Sequence, residues 1–436
     1  MLRRSTSWQN WGRSAAADFA EVAMPQDTDA VVALVRRAAA AGLKIRPLGA
    51  GHSFTPLGVT AGISVRLDRL SGVLAADPTT GLVTLGAGTR LHDLPRLLQP
   101  HGLALQNLGD IDTQTIAGAI GTGTHGTGAG FTGIADQVRG LTIVLADGSV
   151  LECSADTEPD LFQAARIGLG AFGVVTAVTL QCVPTFVLAA DEHPEPLESV
   201  LQNWSAVATS ADHVEFYWFP HTEVALVKRN TRLPASAPRE PLPHWRFLLD
   251  DELVSNGLFE LTNRMLTVVP AATAPVNRLA AKLISDRRYS ADSQRVFNSP
   301  RRVRFREMEY AVPRELLPDT LRQVRKLIDS TGWRIPFPLE IRVAAADDVW
   351  LSTAYRRDSA YLAVHQYHRR PFAEYFLGVE QILAAAGGRP HWGKLHTMDA
   401  AELAARYPRF ADVQQVRDRV DPDRLFGNDH LRRVLG

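Results

Sequence analysis

The chain of 436 residues is 45% hydrophobic and 22% charged, and its 47 Lys and Arg are matched by 47 Asp and Glu. Such a length is too great for one core and predicts two domains or three. A formal net charge of zero gives no electrostatic ground for binding nucleic acid or a polybasic membrane patch.

The opening "MLRRSTSWQNWG" has twin arginines with no apolar core behind them, which argues against a signal peptide. No apolar run nears the ~18 residues of a membrane span, so a cytoplasmic location without a transmembrane segment is expected. In "PQDTDAVVALVRRAAAAGLKIRPLGAGHS", Asp27 or Thr28 caps a helix whose stripe is Val31, Leu34, Val35 and Ala38 and which Gly42 ends. A short strand, "LKIRPL", then runs into a glycine loop. "ISVRLDRL" and "GLVTLGAG" alternate as strands, and "LHDLPRLLQPHG" is a short helix. "LTIVLADGSVLEC" is a hairpin turning at Asp147 and Gly148, followed by a helix, "EPDLFQAARIG", and a long strand, "FGVVTAVTLQCVP". Cys153 and Cys182 read as buried free thiols, and no Cys or His spacing suggests a metal. Beyond this first α+β unit, "HVEFYWFP" and "EVALVKRN" look like antiparallel strands. Between Pro234 and Phe297 the pattern weakens to short helical pieces such as "ELTNRML". The arginine-rich "PRRVRFRE" reads as a solvated face. A helix, "PDTLRQVRKLIDSTGW", precedes strands "PLEIRVAAA" and "YLAVHQYH", and the last forty residues are helical.

G-x-G-x-x-G occurs twice, at Gly121–Gly126 and Gly168–Gly173. The motif binds a dinucleotide only after a strand and at a helix N-terminus, and neither context is met. The glycines and threonines of "TIAGAIGTGTHGTG" instead expose many backbone N–H groups and hydroxyls, which suits an extended phosphate or flavin-edge cradle. The apolar Ile116, Ala117, Ala119 and Ile120 fit poorly with a flexible surface loop. In "RPLGAGHSF", Gly49 and Gly51 let the backbone approach a ligand closely, with His52 at the tip.

These stretches together resemble the vanillyl-alcohol-oxidase-type flavoproteins, in their aldonolactone oxidoreductase and alditol oxidase branch. The likeness runs nearly end to end: "RPLGAGHSF", "NLGDIDTQTIAGAIGTGTHGTG", "GLGAFGVVTAVTL", "EIR", "HWGKLH" and "DPDRLFGNDHLRRVLG" occur in the family's order. It implies an α+β fold, with a PCMH-type FAD-binding domain over residues 1–184. It also implies a substrate or cap domain with a large antiparallel sheet flanked by helices over 185–400, and a C-terminal segment, 401–436, returning to the FAD domain. The cofactor implied is FAD, held by Pro47, Leu48, Gly49, Ala50, Gly51, His52 and Ser53 in the first loop. The second loop adds Gly109, Asp110, Thr115, Ala117, Gly118, Gly121, Thr122 and His125. Gly173, Val174, Val175 and Asn428 complete the set. His52 is the implied point of covalent attachment to the flavin 8α carbon, a role that suits an imidazole neutral near pH 7; non-covalent hydrogen bonding is the alternative.

The chemistry implied is carbinol oxidation by hydride transfer to flavin N5, with the protein supplying a base or polariser and positive charge near N1. Glu340 and Arg342 are two apart on a strand and share a face. From the pair alone a surface salt bridge is the preferred reading, and the match to the family's substrate-binding pair reverses that preference. Lys394 is a flavin N1 or substrate contact by the same resemblance. His365 aligns with an active-site histidine, with a structural role as its competitor. Tyr367 and Asp110 stand where the alditol oxidase pattern has Thr and Ser, which favours a sugar lactone over a polyol. Gly109 aligns with a residue over the flavin C4a–N5 edge thought to gate oxygen, and glycine leaves that path open, implying O2 as acceptor with H2O2 as product. A turn glycine needing positive φ is the plain alternative. A nicotinamide dehydrogenase and a flavin-binding protein without catalysis are weaker readings. The sequence leaves the exact sugar and the oligomeric state open.

Overall fold

The computed structural model describes residues 6–243, 257–298 and 302–436. The helix Thr28–Ala40 forms as expected, capped by Asp27, whose side chain accepts from Ala30 N, with Val31, Leu34, Val35 and Ala38 buried. It packs beside a small parallel sheet in the order Glu21–Ala23, Ile63–Val65, Ile45–Pro47. A five-stranded antiparallel sheet follows, ordered Val150–Ser154, Val138–Val144, Val174–Gln181, Leu82–Gly86, Val73–Asp77. The predicted hairpin is its first pair, and Cys153 and Cys182 are buried and unbridged.

The rest of the chain is built on one eight-stranded, fully antiparallel sheet. Its order is Arg287–Asp292, Phe186–Pro196, Val224–Pro234, His213–Trp218, Leu339–Ala344, Ser359–Tyr367, Phe305–Pro313, Arg389–Pro390. One face is apolar. Phe216, Trp218, Ile341, Leu362 and Val364 are buried there with Leu321, Val324 and Ile328 of the helix Leu317–Thr331 and with Phe376 and Val379 of the helix Ala373–Ala385. The opposite face is charged and meets the N-terminal loops. Thr127 Oγ1 donates to Val214 O, Gly128 N donates to Val343 O (2.8 Å), and Phe54 N donates to Gly393 O (2.7 Å).

Four strands of this sheet are not legible in the sequence: Arg389–Pro390, Phe186–Pro196, Arg287–Asp292 and Phe305–Pro313. The last overturns the solvated-face reading of "PRRVRFRE". Within it Glu307 is buried and Arg306 lies half-buried over the Phe372 ring, while residues 299–301 lie outside the described ones.

The C-terminal helix Phe410–Val420 packs against the helix Pro159–Arg166 of the first unit, and the helix Asp429–Leu435 packs on Ala400–Ala404. Arg46, at the entry to the first glycine loop, is buried and donates to Leu57 O, Gly170 O, Phe426 O and Leu169 O at 2.6–3.0 Å. Asn428 accepts from Leu431 N and donates to the carbonyls of Pro56, Leu57 and Val59. No described helix is long and apolar enough to cross a membrane.

Candidate active site

A cleft runs between the first glycine loop, the helix Ile116–Gly121 and the segment before Val174. It is lined by Pro47, Leu48, Gly49, Ala50, Gly51, His52, Ser53, Thr115, Ala117, Gly118, Gly121, Thr122, Gly173 and Val175 among others. Gly51 has φ +72° and a Cβ there would meet the Trp8 ring at 3.1 Å; Gly173 has φ +150° and a Cβ there would meet Ile143 at 2.5 Å. Both positions therefore require glycine for conformation and for space. A Cβ at Gly121 would meet no heavy atom within 4 Å, so that space belongs to the cleft. His52 stands at one end, stacked on Trp11 at 5.5 Å, with Nε2 2.9 Å from Thr113 Oγ1. Burial, then the charges of Lys394 and Arg90, push its pKa down to about 4, so the imidazole is neutral at pH 7.

The charged face of the large sheet stands beyond the cleft. In direct register across five adjacent strands come Arg287, Glu192, Lys228, Glu215 and Arg342, alternating in sign. Lys228 lies 3.9 Å from Glu192 and 3.6 Å from Glu215, and Arg342 Nε is 3.1 Å from Glu215 Oε2. Opposite charges facing one another across strands are mutually stabilising. Arg342 also pairs with Glu340 at 2.5 Å and with Asp110 of the second loop. Carboxylate oxygens of Asp110, Glu215 and Glu340 lie within 4.8 Å of one another, a donor set that could suit a cation; here the guanidinium of Arg342 supplies the positive charge. The hydroxyl of Tyr217 donates to Glu340 at 2.8 Å. Burial pushes the Glu215 carboxyl up despite Arg342. Arg342 itself, though buried, is held well above its ordinary value by Asp110, Glu340 and Glu215.

A second cluster lies on the neighbouring strands. Lys394 pairs with Glu307 at 2.5 Å and lies 5.3 Å from the Phe54 ring. His365 Nδ1 donates to Pro338 O (3.0 Å), while its Nε2 is 3.6 Å from Glu307. Burial alone would raise the Glu307 pKa; Lys394 and then His365 overcome it and bring it to about 2. His125 Nε2 lies 2.7 Å from Glu309, which it holds well below the carboxylate range against burial, and the His125 ring stacks on Tyr361 at 3.7 Å. His391 joins His125 and Glu309 in a second buried group of possible metal donors.

The structure thus brings Glu340, Arg342 and Asp110 into one cluster, and His365 and Lys394 into another around Glu307. Five residues expected at the cofactor stand off the cleft lining. Asp110 is engaged with Arg342, and His125 with Glu309. Val174 is buried in the core beneath the helix Thr28–Ala40. Asn428 holds the loop at 56–59 by its backbone. Gly109 is buried without a positive φ, and a Cβ there would press on His125 O at 3.0 Å, so the turn-glycine explanation fails. Tyr367 directs its hydroxyl to Glu260 (2.7 Å), away from Arg342, which weakens its use as a specificity marker. The sequence reading missed Glu215, Tyr217, Lys228, Glu307 and Glu309. The period of two in "HVEFYW" and "REMEY", with charges on one face, was the available signal.

Residues 178–434 match a family model described as D-arabinono-1,4-lactone oxidase, and residues 19–154 match one described as an FAD binding domain. The chain belongs to the D-arabinono-1,4-lactone oxidase family. It is 39% identical to L-gulono-1,4-lactone dehydrogenase of Mycobacterium tuberculosis over 434 residues, covering 99% of this chain and 100% of that one. It is 32% identical to L-gulonolactone oxidase of Mus musculus over 444 residues, covering 99% of each. A solved cholesterol oxidase from B. sterolicum shares the fold, with TM-score 0.85, 20% identity and coverage of 99% and 97%. The fold is thus that of the PCMH-type FAD oxidoreductases, and the chain is an FAD-dependent oxidoreductase acting on CH–OH groups. The residues present fit the cofactor: a glycine-lined cleft that side chains would fill, with a neutral imidazole at its end.

Proposed function

We propose that this family member oxidises a carbinol of a sugar-derived 1,4-lactone, of the L-gulono or D-arabinono type, and passes the electrons to O2 with formation of H2O2. In this reading residues 1–184 hold FAD, residues 185–400 cover the substrate, and residues 401–436 return to close the FAD side. Bound FAD supplies the two-electron acceptor. The observation that carries the reading is the placing of Tyr217, Glu340 and Arg342 on one sheet face against the second glycine loop, in a chain that matches lactone-converting relatives end to end. Glu340 accepts and Arg342 donates, so together they orient ring hydroxyls and a lactone carbonyl by directed hydrogen bonds. Lys394 places positive charge beside the reacting region, and His365 is fixed in orientation by Nδ1 on Pro338 O, with Nε2 turned to the same cluster at 3.6 Å from Glu307. Anaerobic mixing with a panel of aldonolactones and alditols tests the substrate class. The lactones should bleach the flavin absorbance, and bleaching by xylitol- or sorbitol-like alditols alone would sink the lactone reading. Admission of air should then restore the colour with H2O2 in step. A dehydrogenase using another acceptor is the second reading, favoured by the name of the mycobacterial relative.

His52 is the proposed covalent anchor, supported by its neutral imidazole at the cleft end. Acid-precipitated protein should stay yellow and the peptide containing His52 should carry the flavin mass; flavin released wholly into the supernatant would refute attachment. His52→Ala should still fold and hold FAD non-covalently. Gly109 is the proposed oxygen gate. Gly109→Ala should slow reoxidation by O2 in stopped-flow without slowing anaerobic reduction. Because the new Cβ must also displace the His125 carbonyl, the thermal midpoint is measured alongside. Unchanged reoxidation in a folded variant would place the gate elsewhere.

A further inference from the structure

Seven of the eleven exposed large apolar side chains among the described residues fall between Leu258 and Leu283. This stretch is a pair of helices, Phe259–Val268 and Thr273–Leu283, joined by one short turn of 3-10 helix. The inward side buries Leu266 and Ala281 beside the polar Asn263, Thr273 and Asn277, with Asn277 donating to the carbonyls of Pro220 and Ile335 at 3.0 and 2.9 Å. The outward side carries Leu261 (64% exposed), Met265, Val268 (82%), Val269, Leu279 and Leu283 (73%). Leu261, Met265 and Val268 follow one another at helical spacing, so they form a stripe rather than scattered exposures. A contiguous apolar face of this kind on a folded protein marks a surface that meets something.

The charges decide what. Arg264, Arg278 and Lys282 stand exposed among the apolar side chains. Arg264 pairs with Glu260, whereas Arg278 directs its Nε to a carbonyl, His221 O at 3.2 Å, and has no ion pair among the described residues. Two copies meeting through this face would bring cations against cations. An anionic lipid surface would accept the apolar stripe among its acyl chains and the cations among its headgroups. We propose that this helix pair docks the enzyme on an anionic bilayer, as a peripheral contact and not a span. The pad lies on the His365 side of the site: Phe259 packs on Phe337 at 4.8 Å, Phe337 lies 6.4 Å from the His365 ring, and Glu260 accepts from Tyr367.

Flotation of the holoenzyme with vesicles tests this. Wild type should float with phosphatidylcholine vesicles containing phosphatidylglycerol, and less with phosphatidylcholine alone. Leu261→Ser combined with Val268→Ser should lower partitioning by about tenfold or more, the equivalent of withdrawing one well-buried apolar side chain from lipid. Arg278→Glu with Lys282→Glu should abolish the preference for anionic vesicles. Both variants should keep the wild-type thermal midpoint and turnover with a soluble acceptor. Wild type left unbound by both vesicle types, or an apolar variant that floats like wild type, would overturn the proposal. A dimer in solution that the same apolar substitutions dissociate would overturn it too, by making a second copy the occupant.

Discussion

Arg342→Ala is expected to lower folding stability by about 3–5 kcal/mol, the usual result of removing one partner from a buried ion network. The residue is the cation shared by Asp110, Glu215 and Glu340, whose oxygens lie within 4.8 Å of one another. Without it, three carboxylates face each other, with Lys228 at 3.6 Å from Glu215. Chemical denaturation at pH 7 measures the loss. Arg342→Lys keeps the charge but not the planar fork, so it should retain most of the stability while turnover still falls. An unchanged denaturation midpoint for Arg342→Ala would mean that the carboxylates relieve the strain by taking up protons, and that the arginine is not structural.

The second large effect is on rate. Lys394→Ala should cost turnover on the order of a hundred- to thousandfold, corresponding to ~2.7–4 kcal/mol of barrier for one directed charged contact in a water-poor site. It should also change the acid response. Glu307, paired with Lys394, has a folded-state pKa of about 2 against an ordinary 4.5. A depressed carboxylate stabilises the fold above its unfolded value, and the contribution is lost as pH falls towards the folded one. The stability gap between wild type and Lys394→Ala should therefore be full at pH 7 and narrow between about 4.5 and about 2. Near-normal turnover, or a gap that does not vary with pH, would remove Lys394 from the role assigned to it.

The parts of the fold that the sequence made legible are those whose inner faces are apolar. The helix Thr28–Ala40 announces itself by its cap and by Val31, Leu34, Val35 and Ala38, and the hairpin at Asp147 and Gly148 by its turn chemistry. The strands Phe186–Pro196 and Phe305–Pro313 were lost for the opposite reason. Their residues on the site side are Glu192, Glu307 and Glu309, and carboxylates on that face, led in by the arginines of "PRRVRFRE", look like a solvated surface even where the period of two is kept. The candidate site was legible in its individual residues and not in its pairings. Glu340 and Arg342 could be placed on one face by their spacing, yet nothing local says that Asp110, 232 residues before Arg342, closes on it, or that Glu215 and Lys228 extend the row. Such partners are set by strand order, which depends on long-range pairing.

The bonds of Arg46 bear on how the enzyme is made. Its guanidinium links the start of the first glycine loop to Leu169, Gly170 and Phe426, and Asn428 grips the same loop's far end. Synthesis delivers the N-terminal unit first, and such units tend to fold as they emerge. Here the early unit waits with a buried cation lacking one of its carbonyl partners until Phe426 and Asn428 leave the ribosome. Closure of the first glycine loop by these two contacts therefore waits until residues 426–428 have been translated.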